Sequence, residues 1–231
     1  MTRFAELLGT DFDDEPTDDP DDVIYEGLDD ARHRERVPAL VELMNDPAAP
    51  ARERYLSCLA LTTWAEPAGY EAVIRAARAP RATPWYGVCT DRALPVDSTF
   101  AHLAVAVADS DDMAEEKGTA VRRTEAFRAL VRIADGEYLG GEPGELLDTA
   151  VTGAVAEDIA DVVTRGAASL SAAPAPAPHG FDVLAQLADL ADAVAGVDGG
   201  LAGELAGRLT AAGRAAGSGD CPPGRAGSAA G

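Results

Sequence analysis

Hydrophobic residues recur at helical spacing through much of the chain. The clearest stripe is formed by Val37, Leu40, Val41 and Met44, which follow the i, i+3, i+4, i+7 pattern of an amphipathic helix. Pro38 fits such a helix only in its first turn, where the missing N–H is not needed. The pattern therefore predicts a helix that begins just before residue 37.

Two further stripes follow after short turns. The turn "NDPAAP" separates the first stripe from a second that runs to Trp64, and "AEP" precedes a third. The second consists of Leu56, Leu59, Ala60 and Thr63, and the third of Tyr70, Val73, Ile74 and Ala77. The first and third stripes are offset by 33 residues. A period of this size is typical of stacked helical hairpins.

Shorter patterns flank this central part. Asp21 and Asp22 favour a helix start before the stripe Val23, Ile24, Gly27 and Leu28. A later helix pair is predicted from Phe100, Leu103 and Val107, then an enlarged turn from Asp109 to Glu116, then Phe127, Leu130, Val131 and Ala134. Residues 144–170 predict one long helix, or two joined near Gly153.

The turn residues of the first hairpin resemble those of the HEAT and armadillo class of α-helical repeats. In that family the first helix ends in an Asp-Pro turn, and an Arg early in the second helix bonds back toward the Asp. Asp46, Pro47 and Arg52 match these positions. The resemblance covers roughly residues 20–135 and implies a short α-solenoid of antiparallel hairpins; a generic helical bundle is the alternative.

The later pair departs from the family pattern, because a longer insertion separates its Arg122 from Asp111. The expected fold class is all-α, with a further helical pair after the repeats. The predicted organisation is an acidic, partly disordered segment (1–19), the HEAT-like domain (20–170), an Ala/Pro linker (171–180), a C-terminal hairpin (181–212) and a disordered tail (213–231).

The strong negative charge of the chain limits which classes of partner we expect it to bind. The formal net charge is −21, and residues 1–30 alone hold 12 acidic residues against one Arg. Such a chain repels nucleic-acid backbones and anionic lipid surfaces, so we expect a basic protein partner, no direct nucleic-acid binding and no membrane association. Residues 11–22 carry eight carboxylates and two prolines, which predicts an extended or disordered segment.

Motifs for catalysis, cofactors and metals are missing from the sequence. HExxH, GxSxG, a Gly-rich phosphate loop and a dinucleotide fingerprint are absent. Calcium loops starting at Asp11 or Asp109 fail, because Pro16 and Ala114 occupy the position that requires Gly. Three cysteines without CxxC, no signal peptide and no long apolar run favour a cytoplasmic protein. We therefore expect that the protein is not an enzyme and that it binds neither a cofactor nor a metal.

The segment 80–99 is predicted to be a long irregular loop, because four Pro and Gly residues interrupt it. Trp85 and Tyr86, close to Arg92, belong to residue types that dominate binding hot spots when exposed. The alternative is that one or both fill a gap between helical pairs. One arrangement combines both, with Trp85 inward and Tyr86 outward.

These observations favour a non-catalytic adaptor or inhibitor that binds a basic protein through loop 80–99 and its acidic segments. An immunity-type protein, which covers the cationic cleft of a toxin, is the most concrete form of this hypothesis. Alternatives are a structural subunit that assembles through residues 181–212 and an enzyme that uses Cys89 with His102. The predicted partner-binding residues are Trp85, Tyr86, Arg92, Asp109, Asp111, Asp112, Glu115 and Glu116.

Overall fold

The computed structural model describes residues 2–90, 96–172 and 180–217. Every regular element in these ranges is helical, which confirms the predicted all-α class. The α-helices are α1 (Arg3–Leu8), α2 (Pro20–Asp29), α3 (His33–Asn45), α4 (Ala51–Thr63), α5 (Pro67–Arg78), α6 (Thr99–Asp109), α7 (Asp111–Glu116), α8 (Ala120–Val131), α9 (Thr149–Ala172), α10 (Val183–Ala193) and α11 (Gly199–Gly217). Three 3-10 turns cover Pro80–Ala82, Pro143–Leu146 and Val194–Gly196.

Helix α4 lies at the centre of the N-terminal half. It packs against α2, α3, α5 and α6, and its side chains from Tyr55 to Cys58 are buried in succession. A helix that is covered on all sides buries more than one stripe. The predicted stripe is one face of this helix, and the neighbouring Tyr55 and Leu61 bury a second. The predicted stacking of α3–α5 as a HEAT-like solenoid stays a prediction.

The expectation that Pro38 lies in a first turn is wrong. Helix α3 begins at His33, so Pro38 is its sixth residue. Pro38 and Arg34, whose carbonyl loses its usual N–H partner, are both exposed. Because both residues are exposed, the Arg34 carbonyl is not buried without a partner, and the helix continues through the proline.

Three arginines tie helices to the ends of preceding ones. Arg36, Arg54 and Arg123 are each the fourth residue of their helix. Arg36 donates to the Leu7 carbonyl (2.8 Å), Arg54 to that of Met44 (3.1 Å), and Arg123 to that of Val107 (2.9 Å). The last carbonyls of a helix lack intrahelical partners and carry partial negative charge, so a guanidinium stabilises them.

The predicted contact between Arg52 and Asp46 is not among the contacts of the described residues. Asp46 accepts from the Ala48 N–H (2.8 Å) inside its own turn. Arg52 is exposed and lines a cavity on the opposite side of α4. Arg54, two residues further along, makes the bond that reaches back to α3.

The acidic N-terminal segment is ordered by its contacts, contrary to the expected extended or disordered state of residues 11–22. Phe12 is buried, and the Arg36 guanidinium lies 4.2 Å from the centre of its ring. Arg36 also donates to the Thr10 carbonyl (2.7 Å), and Arg32 donates to that of Phe12. Backbone carbonyls and one aromatic ring therefore fix a segment whose carboxylates point to solvent.

The segment predicted as an enlarged turn, Asp109 to Glu116, is largely the short helix α7. Met113 and Ala114 are buried on its inner side. This leaves Asp112, Glu115 and Glu116 exposed on its outer side. The helical form follows because two adjacent apolar residues can be buried while the acidic ones remain solvated.

The C-terminal helices form part of the same packed structure. Residues 149–172 form the single helix α9, and α10 and α11 both pack against it. The buried Gln186 side chain of α10 accepts from the Leu139 N–H (2.9 Å) and donates to the Ala134 carbonyl (2.7 Å). The predicted linker and tail lie mostly in residues 173–179 and 218–231, outside the described residues.

Candidate functional site

Two acidic segments that are distant in sequence meet at Tyr25. The Tyr25 hydroxyl donates to Asp109 Oδ2 at 2.8 Å, which joins α2 to the end of α6. The Tyr25 side chain remains 47% exposed, although it is a large aromatic residue. Asp22 and Asp29 lie three residues before and four residues after Tyr25, which places them on the same side of α2, and Asp112, Glu115 and Glu116 follow Asp109 on α7. We call these exposed carboxylates, with Tyr25 and Asp109, the acidic face.

Local sequence fixes the orientation of Tyr25. Asp19 caps α2 by accepting from the Asp21 N–H (3.1 Å), and Pro20 is the first helical residue. A Cβ on Gly27 would lie 2.4 Å from the Trp64 indole nitrogen, so this glycine permits the close approach of Trp64. The indole N–H donates to the Ile24 carbonyl at 2.7 Å. With one side of α2 held against Trp64, Tyr25 faces outward.

Few cations compensate the acidic face. Glu116 pairs with Arg34 at 3.2 Å, whereas Asp22, Asp29, Asp112 and Glu115 have no ion pair among the described residues. Partial burial and the hydrogen bond to Asp109 raise the pKa of Tyr25 to about 12. Uncompensated carboxylates around an exposed aromatic ring form a surface suited to a cationic partner.

Loop 80–99 does not present the predicted pair of exposed aromatic residues. Trp85 is only 4% exposed, with its ring centroid 5.8 Å from that of Tyr55 and 6.5 Å from that of Phe100. Tyr86 is half-buried and donates to Glu137 Oε2 at 3.0 Å. Trp85 is thus unavailable to a partner, because its large apolar ring fills the gap between α4 and α6. Arg92 lies outside the described residues.

The predicted acidic residues divide into two groups. Asp109, Asp112, Glu115 and Glu116 lie on the acidic face, whereas Asp111 pairs with the buried Arg123 at 2.9 Å. Asp111 therefore has an intramolecular partner. Sequence reasoning did not select Tyr25, although its place beside the stripe of Val23 and Ile24 was a usable signal: a large aromatic residue on the polar side of an amphipathic helix.

Cys89 and His102 do come together, in a cavity of about 160 Å³ between α2, α4 and α6. Asp21, Arg52 and Tyr55 also line it. Burial raises the pKa of the Cys89 thiol. A nucleophilic cysteine requires a lowered pKa, so this thiol lacks the activation that the enzymatic alternative needs.

The Tyr55 hydroxyl of this cavity is buried, and no described residue forms a hydrogen bond with it. It lies beside the Cys89 thiol, but the two do not have hydrogen-bond geometry. Burial raises the pKa of Tyr55 strongly. An unpaired buried polar group destabilises the folded state, because it loses water and gains nothing in return.

Replacing Tyr55 with phenylalanine should therefore raise the free energy of unfolding by about 1 kcal/mol. Urea titration followed by circular dichroism measures the change. Tyr70→Phe is the matched control, since the Tyr70 hydroxyl contacts Ser110 Oγ at 2.7 Å and its loss should cost about 1 kcal/mol. A destabilised Tyr55→Phe variant would contradict the prediction, because it would mean that the hydroxyl has a partner.

A larger groove of about 590 Å³ lies between α5 and α8. Its lining includes five arginines: Arg75, Arg78, Arg122, Arg128 and Arg132. Arg122 pairs with Glu125 (2.9 Å), and Arg128 and Arg132 both pair with Asp158 of α9 (2.9 and 2.7 Å). Most of these cations therefore connect α8 to α9 or pair along α8.

The described helices include none that combines the length and apolar character needed to cross a bilayer. In the same ranges, no cluster of three or more His, Cys, Asp and Glu side chains is arranged to hold a metal ion. Comparisons of the chain with protein-family models, with curated proteins and with solved structures gave no match.

Proposed function

We propose that this chain is a non-catalytic protein-binding module, an adaptor or inhibitor, and that its acidic face binds a basic protein. The contact between Tyr25 and Asp109 carries the proposal, because it joins two acidic segments into one surface around an exposed aromatic ring. Tyrosine at the centre of a patch supplies apolar burial, and the surrounding carboxylates supply charge complementarity.

The mechanism is electrostatic steering followed by local desolvation. A strongly negative surface accelerates the encounter with a cationic partner, and this acceleration weakens as salt screens the charges. Carboxylates can occupy the positions that phosphate groups take in a cationic cleft. An immunity-type inhibitor of a basic toxin is therefore the most specific form of the proposal, and nucleic acid is disfavoured as a direct partner.

Two observations favour this function over the alternatives. The raised pKa of Cys89 opposes a cysteine-dependent enzyme. Leu187, Leu190, Leu205 and Leu209 of α10 and α11 are buried within the chain, and the two helices pack on α9, so these residues are not a free assembly surface. A HEAT-like stacking of the N-terminal hairpins belongs to the proposal as its scaffold.

The test begins with a partner captured on the full-length chain, identified and then purified. Neutralising the acidic face by Asp109→Asn, Asp112→Asn and Glu115→Gln, combined with Tyr25→Ala, should weaken binding at least ten-fold in surface plasmon resonance. Raising the salt concentration from about 50 to 500 mM should slow association of the wild type by a similar factor.

The matched control neutralises three exposed carboxylates on α9 and α10, by Glu157→Gln, Asp161→Asn and Asp192→Asn. This variant loses the same number of charges and should bind within about two-fold of the wild type. A basic partner that bound both variants equally would place the interface elsewhere and overturn the proposal. A partner with association rates insensitive to salt would remove the steering step.

A further inference from the structure

The cavity beside Cys89 holds opposite charges apart. Asp21 of α2 and Arg52 of α4 both line it, and neither forms an ion pair within the described residues. Burial and the neighbouring Asp19 raise the pKa of Asp21, whereas His102 and Arg52 lower it, which places both of these side chains near the carboxylate. Asp19 and His102 line the cavity as well. A lining that combines carboxylates with an unpaired guanidinium suits a molecule that carries both charges.

The inner end of the cavity offers a hydrogen bond that the protein does not use. The Tyr55 hydroxyl is fully buried next to Cys89, and it has no hydrogen-bond partner among the described residues. Buried hydroxyls without partners are rare in folded proteins, and one that lines a cavity is available to a ligand. A polar group on the ligand would pair with this hydroxyl and offset the cost of burying it.

The remaining wall limits the size of the ligand. Leu56, Leu59 and Val88 line the cavity beside the polar groups, and its volume is about 160 Å³. This volume is below the roughly 300–1,000 Å³ of sites for drug-sized molecules, so the space suits a small ligand. The cavity is also distinct from the acidic face, whose α7 carboxylates do not line it.

We propose that this cavity binds a small free α-amino acid whose side chain ends in a hydrogen-bonding group. Arg52 binds the carboxylate, Asp21 binds the ammonium group, and the Tyr55 hydroxyl bonds the end of the side chain. Arginine suits the first role because its planar fork matches a carboxylate. Each polar group thus meets its complement.

L-Serine, L-threonine and L-cysteine are the probes, titrated into the full-length protein by isothermal calorimetry and thermal melting. We expect saturable binding of at least one of them and a rise in melting temperature of a few degrees at 100 times its Kd. For the amino acid that binds, single-charge analogues test each contact. Ethanolamine lacks the carboxylate of serine and 3-hydroxypropionate lacks its ammonium group, so each should bind at least ten-fold more weakly.

Three variants assign the contacts. Arg52→Gln and Asp21→Asn should each weaken binding at least ten-fold, and Tyr55→Phe should reduce the affinity to that of L-alanine, which lacks a polar side chain. Arg75→Gln is the control, because Arg75 is another exposed arginine without an ion pair among the described residues, on the far side of α4. It should leave binding unchanged.

Two results would overturn the inference. The first is that none of the three amino acids binds the wild-type protein at millimolar concentration. The second is that one of them binds, but with an affinity that Arg52→Gln and Asp21→Asn leave unchanged. Neither result bears on the acidic face, since Asp109, Asp112 and Glu115 are changed only in the partner experiment. Loss of partner binding likewise leaves the amino-acid titration unaffected.

Discussion

Replacing Arg123 with methionine should lower the free energy of unfolding by about 3 kcal/mol, chiefly because two backbone carbonyls lose a charged donor. Arg123 is only 5% exposed, and its guanidinium makes four polar contacts. Nε donates to the Val107 carbonyl (2.9 Å) and Nη2 to that of Ala108 (3.3 Å). Nη1 lies 2.9 Å from both Asp111 Oδ1 and Asp148 Oδ2. Methionine fills a similar volume but satisfies none of these oxygens.

Its neighbour provides the control. Arg122 is exposed, and Glu125 (2.9 Å) is its one ion-pair partner among the described residues, so Arg122→Met should change stability by less than about 1 kcal/mol. Urea titrations of both variants and of the wild type at one pH give the comparison. Equal losses for the two variants would contradict the assignment of Arg123 as the residue that joins α6, α7 and α9 to α8.

Arg122 and Arg123 show what the sequence could and could not predict about the partner of Asp111. The repeat resemblance selected Arg122 beside a distant Asp111, but the structure pairs Asp111 with Arg123. One residue rotates a side chain by about 100° around a helix. The apolar stripe contained the correction, because Arg123 lies four residues before Phe127 and therefore on the buried face of α8.

The hydrophobic pattern predicted a helix most clearly where only one face of that helix is buried. The stripe begun by Tyr70 coincides with α5, which keeps an exposed side with Glu71, Arg75 and Arg78. For α4 the predicted stripe contained only some of the buried residues, since Tyr55, Ser57 and Cys58 are buried as well. The order of residues 2–19 was not predicted, because it depends on Arg32 and Arg36 of a later helix.

The candidate site likewise had features that the sequence predicted and features that depend on tertiary packing. Charge is a local property of sequence, so the acidic segments around residues 11–22 and 109–116 were visible. Whether an aromatic side chain is exposed depends on what packs against it. Trp85 is buried by Tyr55 and Phe100, and Tyr25 is exposed because Trp64 holds the other side of α2. The burial of Trp85 cannot be derived from spacing, whereas the place of Tyr25 on the polar side of α2 was a local signal.

Convergence from distant segments was the least predictable feature. Cys89 and His102 are close enough in sequence to be considered together. Asp21, Arg52 and Tyr55 join them only because α2 and α6 both pack against α4. No periodicity contains that information. The contacts of Lys117, the only lysine of the chain, were equally unpredictable. Lys117 follows α7, and it contacts the start of α3 and the turn between α4 and α5.

The contacts of Lys117 connect three parts of the fold. Its ammonium group donates to the Trp64 carbonyl (2.7 Å), to Glu66 Oε1 (2.6 Å) and to His33 Nε2 (3.0 Å). His33 Nδ1 lies 2.7 Å from the Asp30 carbonyl. The ring is therefore neutral, with Nδ1 donating and Nε2 accepting. Burial and the charge of Lys117 lower the pKa of His33, in agreement with this assignment.

Lys117→Met should consequently lower the free energy of unfolding by about 3 kcal/mol, because it leaves the Glu66 carboxylate, the Trp64 carbonyl and His33 Nε2 without their shared donor. Urea denaturation at pH 7 measures the loss. The double variant Lys117→Met with Glu66→Gln should lose less than the sum of the two single variants, since removing the charge of Glu66 relieves an unpaired carboxylate. A loss below about 1 kcal/mol for Lys117→Met, or strict additivity, would mean that water replaces the ammonium group and that these helix junctions are joined by apolar packing alone.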